Sequence, residues 1–440
     1  MKCKLLLMAL CLTSSHAYSG SDPSPAAPRA QASQNGSPAS AGVPQSFPSG
    51  QAESFHQQFT PYFTDWFFQG GDYTRYVLLN TPEFFLQSVF NETGTVTSLP
   101  VKPNPKVAAF VISSKIGEMP LGRYVNESPT DGAIVVHKGK IVFEAYPRMK
   151  PMDKHLWFSI SKTVASLAVS VLEQRGLIDV RKPVDFYLSE LKGSAWAGVP
   201  VIDVLDMASG VDCSEAHADL KSCFWDFYNA FGWPVSELAK DDPWQTLQEM
   251  KRLRPSGEIY DYSSVNTEVL NRLVTVVSGD RYADFVEREI WGRVGAQSTA
   301  FLTSTPSGNA FSAGGMISTL RDLARYGLFF VPSGRKADNP VVSDALLSRI
   351  QKEGRPELTK GLKYAHEYLG DNSFHHNTYQ WDIVTVEGDF YKAGVGGQGL
   401  YISPSRDLVI AWFGTHTEKR EHNQMQRVAR QLAKSGLFDD

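Results

Sequence analysis

The chain has 440 residues, 42% of them hydrophobic and 12% aromatic, and a formal net charge of −4. That balance fits a globular protein with one large or two modest domains. It contains no basic run, which argues against nucleic acid as a partner.

The first residues, MKCKLLLMALCLTSSHAYSG, place Lys2 and Lys4 before the apolar run Leu5 to Leu12 and small residues up to Ala17. Residues 1–17 therefore read as a secretory signal peptide, too short in its apolar part to span a bilayer. Without them the net charge is −6. Bulky Leu10 before Cys11 disfavours a lipoprotein signal. The expectation is an exported protein, periplasmic or secreted. Residues 18–50 are rich in Pro, Ser, Ala and Gly and read as a disordered linker.

Order is expected to begin near ESFHQQFTPYFTDWFFQ, within an N-terminal extension and first elements over 51–130. Strand patterns follow in VAAFVIS (Val107 to Ser113), GAIVVHKG and KIVFEAY, the last two forming a hairpin about Lys138–Gly139. In LWFSISKTVASLAVSVLEQRGL, the apolar residues Val164, Leu167, Ala168, Val171, Leu172 and Leu177 recur at helical spacing, and Gly176 marks a stop. From Asp179 to Thr385 helical patterns, loops and tryptophans dominate. Strands return in DFYKA, GLYIS and DLVIAWFG, and REHNQMQRVARQLAKSGLFDD reads as an amphipathic helix. Strands at both ends around such a middle predict an α/β fold, one sheet built from both chain ends with a mostly helical insertion.

Ser159 and Lys162 stand one turn apart at the amino end of the predicted helix. A lysine there is poorly placed as a charge, because the helix dipole favours anions at that end. As a neutral amine it makes a base for the hydroxyl. Ser-x-x-Lys alone is weak: Ser189 to Lys192 and Ser333 to Lys336 match it too, both in loop-like surroundings. A third group to shuttle the proton is available in RPSGEIYDYSSVNTEVLNRLV, where Tyr262 precedes an apolar helix. An ordinary packed aromatic is the competing reading. Cys213 and Cys223, ten residues apart, are expected to form a disulfide in an exported protein, worth roughly 2–4 kcal/mol; two buried thiols are the alternative.

The segments FSISKTVASLAVSVLEQRGLIDVRKPVDFYL, VLDMASGVD, PSGEIYDYSSVNTEVL, FSAGGMISTLRDLARYG and YKAGVGGQGLYISPSRDLVIAW occur in the order found in the serine β-lactamase and penicillin-binding superfamily. From Asp131 to the C-terminus the chain resembles class C β-lactamase-like esterases and the 6-aminohexanoate-dimer (nylon oligomer) hydrolases. The resemblance implies a β-lactamase/transpeptidase-like catalytic domain over 131–440, its central sheet antiparallel and flanked by helices. It implies Ser159 as nucleophile, Lys162 as base and Tyr262 as the second-motif tyrosine. The third motif falls at Lys392-Ala393-Gly394. Oxyanion donors are then expected from the backbone N–H groups of Ser159 and Val395.

Two departures stand out. The second motif of β-lactamases is Tyr-x-Asn, and here Ser264 stands in the asparagine position; the third motif has Ala393 where a hydroxyl is common. Both disfavour β-lactams and leave acyl transfer intact. Substrate contacts are expected from Ser264, Lys392 and the glycines Gly394, Gly396 and Gly397. Trp225, Phe227, Tyr228 and Trp233 could wall an apolar pocket or pack as core aromatics. The implied function is hydrolysis of esters or linear amides. The alternatives are a β-lactamase, a D-Ala-D-Ala carboxypeptidase, or a penicillin-recognising binder that does not turn over.

Other patterns lead elsewhere or nowhere. GVGGQG (Gly394 to Gly399) matches a dinucleotide fingerprint literally but is followed by a strand pattern instead of a helix. Tyr124-Val125-Asn126 precedes the serine and reads as a loop. His366, His375 and His376 lack metal spacing and read as surface residues. No cofactor or metal is expected; the partner is a small-molecule substrate, with no membrane span, and the sequence leaves the oligomeric state open.

Overall fold

The computed structural model describes residues 69–91, 94–215, 223–231, 242–335, 340–360, 362 and 368–439. The signal and linker segments, and the aromatic stretch expected to start the ordered chain, lie outside the described residues except for its last residue. In chain order the elements used below are α1 (Gly71–Leu79), β1 (Leu86–Phe90), β2 (Val111–Ser114), β3 (Gly117–Pro120), β4 (Thr130–His137), β5 (Lys140–Ala145) and β6 (Lys154–Leu156). They continue with α2 (Lys162–Gln174), α3 (Cys223–Ala230), α4 (Ser264–Ser278), β7 (Ala300–Ser304), β8 (Met316–Thr319) and α5 (Leu320–Leu328). The chain closes with β9 (Phe374–Thr378), β10 (Trp381–Thr385), β11 (Phe390–Gly394), β12 (Gln398–Ser403), β13 (Leu408–Gly414) and α6 (Met425–Ala433).

A seven-stranded antiparallel sheet runs β5-β4-β13-β12-β11-β10-β9, so strands from both chain ends meet at the β4–β13 pair. Residues of β13 alternate between two apolar cores. Val409, Ala411 and Phe413 face the larger core. Leu408, Ile410 and Trp412 face a second core shared with Val428 and Leu432 of α6. A strand covered on both faces needs apolar residues at every position, which is why DLVIAWFG is unbroken. A smaller four-stranded sheet, β1-β7-β8-β6, lies at the amino end of α2.

The hairpin of β4 and β5 forms as expected: Lys138 and Gly139 both have positive φ, as a two-residue type I′ turn requires. Helix α2 ends as its glycine predicts. The Gly176 N–H reaches the Glu173 carbonyl and the Leu177 N–H that of Leu172, a Schellman cap, although Leu177 itself is exposed.

Several expectations change. Val107 belongs to a short helix, Pro105–Ala109, capped by the Asn104 side chain, and the strand begins only at Val111. Tyr124 lies in a helix, Leu121–Glu127, and not in a loop. The middle region contributes β7, β8, β9 and β10 as well as helices. The closing helix is confined to Met425–Ala433. His375 is exposed, but His376 is fully buried; burial pushes its imidazole down to about 4, and its Nε2 meets the Ile350 carbonyl. Cys213 and Cys223 are bonded, with Cα atoms 5.5 Å apart.

Candidate active site

Ser159 sits in a tight turn, Phe158–Ser161, wedged between β6 and α2. Phe158 takes a left-handed conformation, φ 48°, which costs a non-glycine residue about 1–3 kcal/mol and persists only where packing enforces it. Three contacts enforce it here. The Trp157 N–H donates to the Met316 carbonyl, the Trp157 indole donates to Ser318 Oγ, and the Met316 N–H donates to Ser161 Oγ, so β8 holds the turn from both sides. From the opposite side β11 approaches so closely that a Cβ on Gly394 would lie 2.5 Å from the Trp157 carbonyl oxygen.

The fold brings the serine, lysine and tyrosine motifs together. Lys162, the first residue of α2 and 1% exposed, has its Nζ 3.1 Å from Ser159 Oγ and donates to the Ala313 carbonyl at 2.8 Å. Its Nζ lies 5.2 Å from the centre of the Tyr262 ring. Lys392 of β11 also approaches that ring, its Nζ 4.7 Å from the ring centre. Lys392 is fully buried and bonds Asp382 Oδ1 at 2.5 Å, while Asp382 Oδ2 accepts the Ala393 N–H at 2.9 Å. A hydroxyl, an amine and a phenol with a second lysine beside its ring are the groups that nucleophilic catalysis with proton transfer requires.

A family model described as Beta-lactamase matches residues 123–434. The chain belongs to the β-lactamase family. It is 31% identical over 294 residues to the 6-aminohexanoate-dimer hydrolase of Paenarthrobacter ureafaciens, which covers 66% of this chain and 74% of that one. Among solved structures it is similar to a Bacillus anthracis protein that carries the 6-aminohexanoate-dimer hydrolase designation, with TM-score 0.72 and 23% identity over 83% of this chain and 94% of the other. It is also similar to a β-lactamase/D-alanine carboxypeptidase of Yersinia pestis, with TM-score 0.56 and 20% identity over 71% of this chain and 95% of the other. These two structural likenesses concern the fold. The protein is thus a β-lactamase-fold hydrolase related to 6-aminohexanoate-dimer hydrolase.

Ser264 and Lys392, expected to contact substrate, are both buried. Ser264 is 1% exposed: its hydroxyl shares a 3.0 Å hydrogen bond with Tyr228 Oη, and its N–H donates to Glu215 Oε1 at 2.6 Å. It therefore helps start α4 and does not open onto solvent. Lys392 is likewise held by Asp382. Gly396 and Gly397 both have positive φ in the β11–β12 turn that carries Val395, the expected second oxyanion donor. The strand after this turn excludes a dinucleotide fingerprint. Tyr228, 6% exposed, packs edge-on against Phe311, and Phe227 against Phe231, so these two of the four aromatics belong to the core beside the site. The Trp225 side chain and Trp233 lie outside the described residues.

Three contributors escaped the sequence reading. Ala313 supplies the carbonyl that orients Lys162, Asp382 anchors Lys392, and the His416 ring lies against the glycine turn, 3.7 Å from where a Cβ on Gly396 would be. A backbone carbonyl leaves no mark in sequence. Asp382, flanked by Trp381 and Ile383, was visible as a charge in an apolar run. Among the described residues no group of three His, Cys, Asp or Glu side chains is placed to hold a metal, and no helix is long and apolar enough to cross a membrane.

Proposed function

We propose that the protein is an exported serine hydrolase that cleaves esters or linear amides through an acyl-enzyme on Ser159. The observation that carries this reading is Lys162 Nζ at 3.1 Å from Ser159 Oγ, with the centre of the Tyr262 ring 5.2 Å from Lys162 Nζ and 4.7 Å from Lys392 Nζ. The neutral amine of Lys162 takes the hydroxyl proton as Oγ attacks the carbonyl carbon. The oxyanion is held by the N–H groups of Ser159 and Val395. Collapse breaks the bond to the leaving amine or alkoxide, which receives the proton through Tyr262. Water then gives a proton to the same groups, attacks the acyl carbon and releases the acid with Ser159 restored. Export rests on the signal-like first 17 residues.

The substrate class rests on Ser264 and Ala393. The related enzyme is a 6-aminohexanoate-dimer hydrolase, which points to a linear amide, and Ser264 has neither the asparagine amide nor an open position. Each hydrogen bond that a lactam loses weakens its transition state by about 1–3 kcal/mol. Comparing kcat/KM for p-nitrophenyl butyrate, a linear 6-aminohexanoate amide, benzylpenicillin and nitrocefin under one condition tests this. Preference for the ester or linear amide is expected. Preference for the lactams would move the protein to the antibiotic hydrolases, and a stoichiometric burst without turnover would make it a binder.

A further inference from the structure

Glu268 is an unusual residue for its place. It lies on α4 between Val265 and Val269, fully buried, where packing alone calls for an apolar side chain. Its two oxygens are both engaged: Oε1 accepts the Ala313 N–H at 2.8 Å, and Oε2 accepts from the Asn271 amide at 3.0 Å. Asn271 is fixed in turn by donating to the Ala310 carbonyl at 2.8 Å. The residue whose N–H Glu268 grips is thus the one whose carbonyl grips Lys162.

We propose that Glu268 is a positioning residue for Lys162: through Ala313 it fixes the carbonyl that orients the amine, and it places a carboxyl near that amine. The inference rests on Ser159 and Lys162 acting as nucleophile and base. The groups facing the carboxyl are Lys162 from α2, the Tyr282 phenol from the helix Tyr282–Val286, and Ser312 and Ala313 from the segment before β8, besides Asn271 on its own helix. Burial pushes the Glu268 carboxyl up to about 7, against the pull of the Ala313 N–H, Asn271, Ser312 and the Lys162 charge. The acid is consequently neutral in mildly acidic solution and charged in mildly alkaline solution. When charged it favours the Lys162 ammonium. When neutral it withdraws that support and favours the free amine that takes the Ser159 proton.

The test is the pH dependence of Ser159 labelling by a fluorophosphonate probe, measured as a second-order rate constant on the full chain, with the adduct located by mass spectrometry. Glu268→Gln keeps an acceptor for Ala313 and removes the charge that the wild type carries above about pH 7, so the part of the acidic limb above that pH should move to lower pH by about 0.5–1 unit, while any part below it, where the wild-type acid is already neutral, stays. Glu268→Asp restores a charge and should return the limb toward that of the wild type. Asn271→Ala leaves the carboxyl in place but removes a hydrogen bond to its charged form, so the limb should move the same way as in Glu268→Gln, by less. It supplies the answer if Glu268→Gln does not fold. A role in stability alone would lower the rate equally at every pH and leave the limb where it was; superimposed limbs in the folded variants overturn the inference. Wild-type protein left unlabelled at Ser159 would overturn the hydrolase reading itself, and this inference with it.

Discussion

Lys392 and Asp382 show how a buried charge is made tolerable beside the Tyr262 ring. The ammonium has no solvent access, and Asp382 meets both its Nζ and the next backbone N–H. Such a pair adds little net stability, because desolvation offsets attraction, but removing one partner leaves the other charge stranded. Asp382→Ala should therefore destabilise the protein by about 3–5 kcal/mol. It should also lower activity, since Lys392 then has no fixed place against the Tyr262 ring. Urea unfolding monitored by tryptophan fluorescence checks the first expectation, and a loss below about 1 kcal/mol, the value of an exposed pair, would contradict it. The importance of Lys392 could be read from its motif. Its anchor could not, because the hairpin of β10 and β11 brings the two together only when folded.

At the scale of elements, the site depends on β11 and β8 closing on the turn that carries Ser159. Gly394 is the point of closest approach. A methyl there meets the Trp157 carbonyl, a backbone atom that cannot rotate away, and crowds the Gln398 side chain at 3.0 Å. Gly394→Ala should push the β11 end and the Val395 N–H away from the oxyanion position and lower kcat about 10²–10³-fold, the value of one oxyanion donor. Steady-state kinetics with p-nitrophenyl butyrate checks this; a variant within a factor of three of the wild type would contradict the close-approach argument. Strands β4, β5, β11, β12 and β13 of the large sheet are legible because turn chemistry and apolar runs mark them, whereas β9 and β10 fall in the stretch expected to be a helical insertion. Strand β8 is not legible either: its four residues are all buried and show no alternation. The sequence reading therefore assigned its surroundings to the helical insertion, although FSAGGMISTL was recognised as a motif. In the fold that motif places Ala313 under Lys162 and Met316 beside Trp157.

Across the whole molecule, the segment ahead of the matched family region is tied into the rest of the fold. Strand β1 pairs with β7 along five residues, Leu86 to Phe90 against Ser304 to Ala300. Arg75 of α1 donates from Nε to Asp131 Oδ1 at 2.8 Å, and Thr415 Oγ1 donates to the other oxygen at 2.6 Å, so Asp131, fully buried, links α1, β4 and the end of β13. Arg75→Ala removes one of the groups that meet the buried Asp131 carboxylate, the others being Thr415 Oγ1 and His155, whose Nε2 lies 3.4 Å from Oδ2, so a loss of about 1–3 kcal/mol is expected; an unfolding curve superimposed on the wild type would contradict it. The two-ended sheet was foreseeable from sequence, because chain-terminal strand patterns are strong. The latch was not, since an arginine and an aspartate 56 residues apart carry no local signal. In the proposed function Ser159 is the group that attacks. The most direct measurement is peptide mass spectrometry after a fluorophosphonate probe, on wild type and Lys162→Ala side by side. A single adduct on Ser159 is expected, forming at least about 10³-fold more slowly without Lys162. An adduct on Ser189 or Ser333, or equal rates in the two proteins, would contradict the account.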